Sequence, residues 1–449
     1  MKVNLIEIVN ILVVIFLLFV LSRRRDNITL LLVLFTYGTL HFAFSAIALT
    51  ESESVNLLAR LHNEGGGILA KLSATVLLGF VFVLLSRHAY YGFMRSEKGE
   101  KKIIFYILLV MGSILLGYFL NIRNDDWLQF KNVISIEAML AFLLVGYLGA
   151  SRVDTLDAEV LHLWILGGLV ILGITDSIGI YEVFYHKSWA GTLESSGEMV
   201  YRASSILFNP NLLSFWAALT YIGCAYGIHK LKDHQKIMFW GMVLASVAIY
   251  LSGSRSTGFL LLGVLFIPAI LLNKSLSWLS FVVFPMTLMT IFTVAKCITA
   301  QFNSSTEGWR EIVLLGDRFE AAPVYLINYF LRFIDFPILV GIPNEVSQSI
   351  EGRFIGESRD SGWLVLYQDV GLFGLVAVIF SCCALIVWGW QAYVAQKNPA
   401  TAYALATLSY CLLSGLVMRF QIFPNWLFIG IVFVPCFIYW QRSVSVVRN

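Results

Sequence analysis

Residues 252–256 read Ser-Gly-Ser-Arg-Ser inside the apolar stretch 237–273. An arginine in hydrocarbon costs roughly 2.5–3.5 kcal/mol on insertion scales, so Arg255 needs a compensating partner. Its guanidinium is a planar fork of donors that fits phosphate oxygens, and Ser254 beside it adds a hydroxyl. The plain alternative is an arginine snorkelling from a tight turn. A second stretch, "YRASSILFNPNLLSFWAAL" (201–219), sets Arg202 before Asn209-Pro210-Asn211. Proline fits the opening of a helix; Asn209 and Asn211 either cap that helix or bind a polar ligand. A third, "GRFIGESRDSGWLVLYQDVGLFGLV" (352–376), gathers Arg353, Glu357, Arg359 and Asp360 just before an apolar segment marked by Gly371 and Gly374. A solvated charge cluster at an interface would look the same.

The elements that must position these residues are read from composition. The 449 residues are 58% hydrophobic and only 13% charged, with a mean hydropathy of +0.79; soluble domains carry about 25% charged residues. The chain is therefore expected to be an all-α, polytopic integral membrane protein, and no nucleic-acid partner is expected. Apolar runs of about 17–25 residues lie near 4–22, 28–50, 67–86, 103–120, 133–150, 159–176, 204–227, 237–253, 256–273, 277–296, 362–388, 401–418 and 426–441. They predict about 12–13 transmembrane helices in a single membrane domain, 1–449. The first run is followed by Arg23-Arg24-Arg25 rather than a small-residue cleavage site, so it reads as a retained helix. The six cysteines show no Cys-x-x-Cys spacing and read as small core residues.

Basic connections alternate with acidic ones along the chain. Residues 23–25, 87–102, Arg152, 229–236, Lys274, Lys397 and Arg442 with Arg448 fall on one side; 51–54, 124–127, 176–198 and 297–361 fall on the other. By the positive-inside rule the first set is cytoplasmic, which puts the N-terminus outside and the C-terminus inside. The segment 297–361 is far longer than a usual connection of about 4–6 residues. Its "EIVLLGDRFEAAPVYLINYFLRFIDF" mixes apolar and charged positions at helical spacing, with Pro323 interrupting and Asp317, Arg318, Glu320, Arg332 and Asp335 arguing against a further span. Short amphipathic helices at the membrane surface are expected there.

In their order and predicted side, the three stretches resemble the O-antigen polymerase and O-antigen ligase superfamily of bacterial envelope glycosyltransferases. That family shows an Arg-x-x-Gly/Ser-x-Phe-x-Asn-Pro-Asn segment, then a Ser-Gly-Ser-Arg turn between two helices. A large periplasmic loop follows, ending in a short polar motif and a helix with Gly-Leu-x-Gly-Leu. Here these read "RASSILFNPN", "SGSRS", 297–361 and "RDSGWLVLYQDVGLFGL", so the resemblance covers about residues 200–380. Ligases of the family carry His-Asn where the loop meets the next helix. This chain has Asp360-Ser361 there and no histidine in 297–361, which favours polymerase over ligase.

The resemblance implies an enzyme of the bacterial inner membrane that joins polyprenyl-pyrophosphate-linked oligosaccharide repeat units at the periplasmic face. A flippase and a chain-length regulator of the same pathway would be its partners besides the lipid bilayer. The departing polyprenyl pyrophosphate is already a stable anion, so cationic stabilisation is the main demand on the site. Arg255 and Arg202 are the expected pyrophosphate ligands, with Arg359 and Arg318 adding charge from the loop. Asp360 or Glu357 would take the proton from the attacking sugar hydroxyl. With neither Asp-x-Asp nor a grouping of His and carboxylates at ligand spacing, the reaction is expected to need no metal and no cofactor. The competing class is a transporter, in which Glu137 and Asp176 would be ion-coupling residues; the paired repeats common in that class are not visible.

Overall fold

The computed structural model describes residues 98–120, 210–230, 235–302, 362–397 and 399–415, with isolated further positions that include Val133, Glu137 and Leu140. Among the described residues the chain is all-helical, with no strand. The helices are α1 (Lys98–Leu120), α2 (Pro210–Lys230), α3 (Gln235–Ser252), α4 (Arg255–Leu271), α5 (Leu276–Phe302), α6 (Gly362–Gln396) and α7 (Pro399–Ser414). Gln235–Ser252 is long and apolar enough to cross a membrane; Ile104–Phe119, Ser256–Leu271, Leu276–Phe292, Val370–Phe380 and Thr401–Ser414 are shorter apolar segments. α5 continues through Phe302, past the expected end near 296, because "KCITAQF" contains no helix breaker.

Helix α2 opens at Pro210, where a missing N–H costs nothing and φ is already helical. The connections α2–α3, α3–α4, α4–α5 and α6–α7 are too short for anything but antiparallel neighbours. α3 packs most extensively on α2, and both bury small residues in the shared core: Ala245 and Ala248 on α3, Ala217, Ala218 and Ala225 on α2. A Cβ added at Gly241 would stand 2.6 Å from the Cys224 sulfur. α4, α5 and α7 complete this group, and Tyr221 donates from its middle to the Val282 carbonyl.

One end of the group is basic. α4 stops in a Schellman-type cap: Asn273 takes φ 47°, and Lys274 N–H donates to the Ala269 carbonyl at 3.1 Å. Gln235 Nε2 reaches the Ile228 carbonyl at 3.2 Å, and Tyr393 donates to the Leu271 carbonyl. The half-buried His229 imidazole is held below its ordinary range by burial and by the Lys274 ammonium. Lys230, Lys274 and Lys397 thus gather at the end opposite Arg255.

α6 ties α1 to this group, packing on α1 and on α7. It breaks at Gly371, whose φ of 71° and ψ of −175° lie in a region essentially reserved for glycine. α1 closes on the break: a Cβ at Gly117 would lie 2.3 Å from the Val370 carbonyl oxygen, a backbone atom that cannot rotate away. The Gly-Leu-x-Gly-Leu pattern of residues 371–375 is thereby a kink with a helix pressed against it. Gly371→Ala is expected to cost about 1–3 kcal/mol. Gly117→Ala should separate α1 from α6 with a similar loss. The check is thermal unfolding of the purified protein in detergent, with Gly112→Ala, whose Cβ would meet nothing within 4 Å, as the neutral control.

Candidate functional site

The Ser-Gly-Ser-Arg stretch forms the turn between α3 and α4. Gly253 takes φ 65° and its N–H returns to the Tyr250 carbonyl at 3.0 Å. Ser252 donates to the Ile249 carbonyl at 2.7 Å and accepts from Ser254 N–H at 3.4 Å. Ser254 occupies the N-cap position of α4 in extended backbone, yet makes no side-chain cap hydrogen bond. Its hydroxyl goes instead to Thr257 Oγ1, at 2.8 Å.

Thr257 is where the distant stretches meet. Ser214 Oγ, one turn into the helix opened by Asn209-Pro210-Asn211, lies 2.9 Å from Thr257 Oγ1 across 43 residues of sequence. The Tyr410 phenol of α7 also bonds the Thr257 side chain, and its ring stacks on Phe215 with centroids 5.6 Å apart. Ser214, Ser254, Thr257 and Tyr410 are all buried. Gly258 brings α5 against the same turn, with Thr290 Oγ1 2.8 Å from where a Cβ would stand. Three helices and a turn are therefore locked at one end by hydroxyls whose partners are mostly one another, an arrangement worth more in low dielectric than in water.

What this lock presents is the start of α4. Arg255 is its first residue, no acidic side chain lies in the first turn, and Ser254 leaves the first N–H groups without a side-chain cap. A helix N-terminus of that kind favours anions, and a guanidinium on it adds a full positive charge.

Of the residues expected to bind substrate, Ser254 and the backbone of Arg255 and Asn211 are described, and they belong to helix starts on two elements joined through Thr257. Ser254 is 6% exposed with its hydroxyl engaged, so it shapes the turn rather than offering a ligand. Arg202, Asn209, Arg318, Glu357, Arg359 and Asp360 lie outside the described residues. Thr257 and Ser214 stand inside the stretches that drew attention, but their pairing has no sequence signal. Tyr410 had none at all, being one aromatic in an apolar run. Among the described residues no three His, Cys, Asp or Glu side chains gather to hold a metal ion. No protein-family model matches the chain, and no curated protein matches it significantly.

Thr257→Val keeps the shape but removes the hydroxyl partner of Ser254 and Tyr410 and one contact of Ser214. A loss of about 1–3 kcal/mol per stranded buried group is expected, and Thr257→Ser should restore most of it. Thermal unfolding of both variants checks this.

Proposed function

We propose that the chain is a polysaccharide polymerase of the bacterial inner membrane. It would join polyprenyl-pyrophosphate-linked oligosaccharide repeat units, as for O-antigen, capsule or exopolysaccharide, at the periplasmic face. The observation that carries this reading is the Ser214–Thr257–Ser254 contact. It draws the Asn-Pro-Asn helix start and the Ser-Gly-Ser-Arg turn, the two resembling motifs nearest the expected pyrophosphate site, to one end of the helix group. The basic connections at the other end support the orientation. A membrane setting is supported by the apolar faces turned outward: Trp240, Ile270, Phe284 and Phe380 are each more than half exposed, far more apolar surface than a water-soluble helix group tolerates.

In the proposed reaction the acceptor hydroxyl attacks the anomeric carbon of the donor glycan. The C–O bond to polyprenyl pyrophosphate breaks, and its electron pair leaves with the pyrophosphate. Arg255 at the N-terminus of α4 stabilises the charge that develops there, and Asp360 or Glu357 accepts the hydroxyl proton. The reading rests on a leaving group that needs no proton, so a cation is the principal catalytic device.

The decisive test is the glycan phenotype of a deletion strain. Lipopolysaccharide capped by single repeats supports polymerase; an uncapped core with polymer retained on the lipid carrier supports ligase; unchanged glycans overturn both. Orientation is checked by cysteine labelling after replacement of the native thiols. A cysteine at Ser304 should react with an impermeant reagent in intact spheroplasts and one at Ser96 should not.

A further inference from the structure

The seam between α3 and α5 ends in a patch that the proposed transfer does not use. Residues 210–230 and 235–302, which hold α2 to α5, contain no aspartate or glutamate; Asp233, between α2 and α3, lies outside the described residues. The cations at the basic end of these four helices therefore have no carboxylate on them to pair with. Lys274 stands close enough to His229 to disfavour its charged form. Its ammonium lies over the Trp278 ring, 5.8 Å from the centroid. Ser275 accepts from Trp278 N–H at 3.3 Å and so already caps α5; the charge of the patch comes from the lysines, not from the helix end. α3 and α5 start side by side and run the same way, because each follows a short turn from a helix that ends at this face. Phe239 and Phe281 join them, stacked with centroids 4.8 Å apart. Phe239 comes one turn after Lys236, and Phe281 one turn after Trp278. Lys236 and the Lys274–Trp278 pair thus stand at one level on either side of the seam. Apolar side chains border these cations directly: Leu276 is 79% exposed, and Ile237, Trp240 and Phe284 are each more than half exposed.

We propose that Lys236 and Lys274 hold the headgroup of an anionic phospholipid whose acyl chain lies along the α3–α5 seam, over Phe281 and Phe284. Charge complementarity selects the headgroup: a phosphate diester offers each ammonium an oxygen acceptor, and no acidic side chain of these four helices competes for it. The apolar border selects a lipid. A soluble anion would leave Leu276, Ile237 and Trp240 uncovered, whereas an amphiphile meets both halves of the patch. Tryptophan at the edge of an apolar surface marks the level of lipid headgroups, and basic pockets between membrane helices on the cytoplasmic side take anionic lipids. This patch lies at the end opposite Arg255, which is the cytoplasmic end in the proposed orientation. The inference rests on the membrane setting of the proposed function and not on glycan transfer.

The test uses the purified full-length protein in nanodiscs of equal parts phosphatidylglycerol and phosphatidylcholine, released for native mass spectrometry at rising collision energy. The last lipid kept by the wild type should be phosphatidylglycerol. A lysine beside an anionic headgroup is worth about fivefold in affinity. Lys236→Gln and Lys274→Gln should each weaken phosphatidylglycerol binding by about that factor, and the double variant should keep neither lipid in preference. Lys236 is exposed, so its variant should fold, and Lys274→Arg should retain the preference. Lys397→Gln removes a charge from the same end but away from the seam and should change nothing; an equal loss there would mean diffuse attraction and overturn the site. Inorganic phosphate at constant ionic strength should not displace the lipid, and displacement would overturn the choice of an amphiphile. Equal retention of both lipids by the wild type, or a preference that survives in the double variant, overturns the proposal. The membrane setting is checked apart, by an alkaline wash of the membrane fraction. A chain that stays in the pellet without preferring phosphatidylglycerol overturns this inference alone; a chain released by the wash overturns the membrane setting as well.

Discussion

Arg255→Ala is expected to abolish polymer formation from lipid-linked repeat units while leaving protein abundance unchanged. Arg255 is the first residue of α4, with no carboxylate in its turn and no side-chain cap competing for the first N–H groups. A pyrophosphate leaving group would there meet backbone dipoles and a guanidinium together. Removing one preorganised donor from a developing anion costs about 10²–10³ in kcat, and losing a whole charge should cost more. Arg255→Lys keeps the charge but not the fork, so it should remain badly impaired. Stability should hardly change, because Ser252, Gly253, Ser254 and Thr257 supply hydrogen bonds that close the turn. The measurement is the polymerisation rate of purified variants on purified lipid-linked repeats, beside their unfolding midpoints. A fully active Arg255→Ala would reduce this residue to a snorkelling arginine. Arg202→Ala is expected to behave in the same direction.

Asp360→Asn carries the second large effect. If this carboxylate accepts the acceptor proton, asparagine keeps its shape and most hydrogen bonds while deleting the basic site, and the rate should fall by about 10²–10⁴. Asp360 precedes the start of α6 at Gly362 by two residues, so a helix-capping role is the competing explanation. Asparagine caps nearly as well as aspartate, and capping alone predicts a small loss. Glu357→Gln is the paired variant, because a carboxylate three residues earlier could reach the same hydroxyl. Near-normal rates for both would exclude both as the base.

How much could be read from the chain alone differs between its parts, for physical reasons. Helices α3 and α4 were expected at 237–253 and 256–273 and occur at Gln235–Ser252 and Arg255–Leu271. Apolar runs bounded by polar turn residues are local signals that a short window of sequence carries. Asn-Pro-Asn was legible as a helix start for the same reason, since proline acts on its own backbone. The kink was harder. Gly371 and Gly374 were visible as glycines, but that one adopts an extended, positive-φ conformation while α1 closes on the adjacent carbonyl depends on Gly117, more than 250 residues earlier.

Composition and hydropathy by themselves determined the helical class and the placing of the described helices, because these follow from sums over short windows of chain. They also singled out the stretches with chemistry, because arginine and asparagine are conspicuous where hydrocarbon-compatible residues dominate. Only the tertiary structure decided which of them meet. The Thr257 hydroxyl joins Ser214, Ser254 and Tyr410 from three separate stretches of sequence. A hydroxyl or a carboxylate carries no mark in sequence of the partner it will find. That choice is made by close packing of helix faces, where small residues set the approach and the geometry then dictates which buried polar atoms are satisfied and which are left for a ligand.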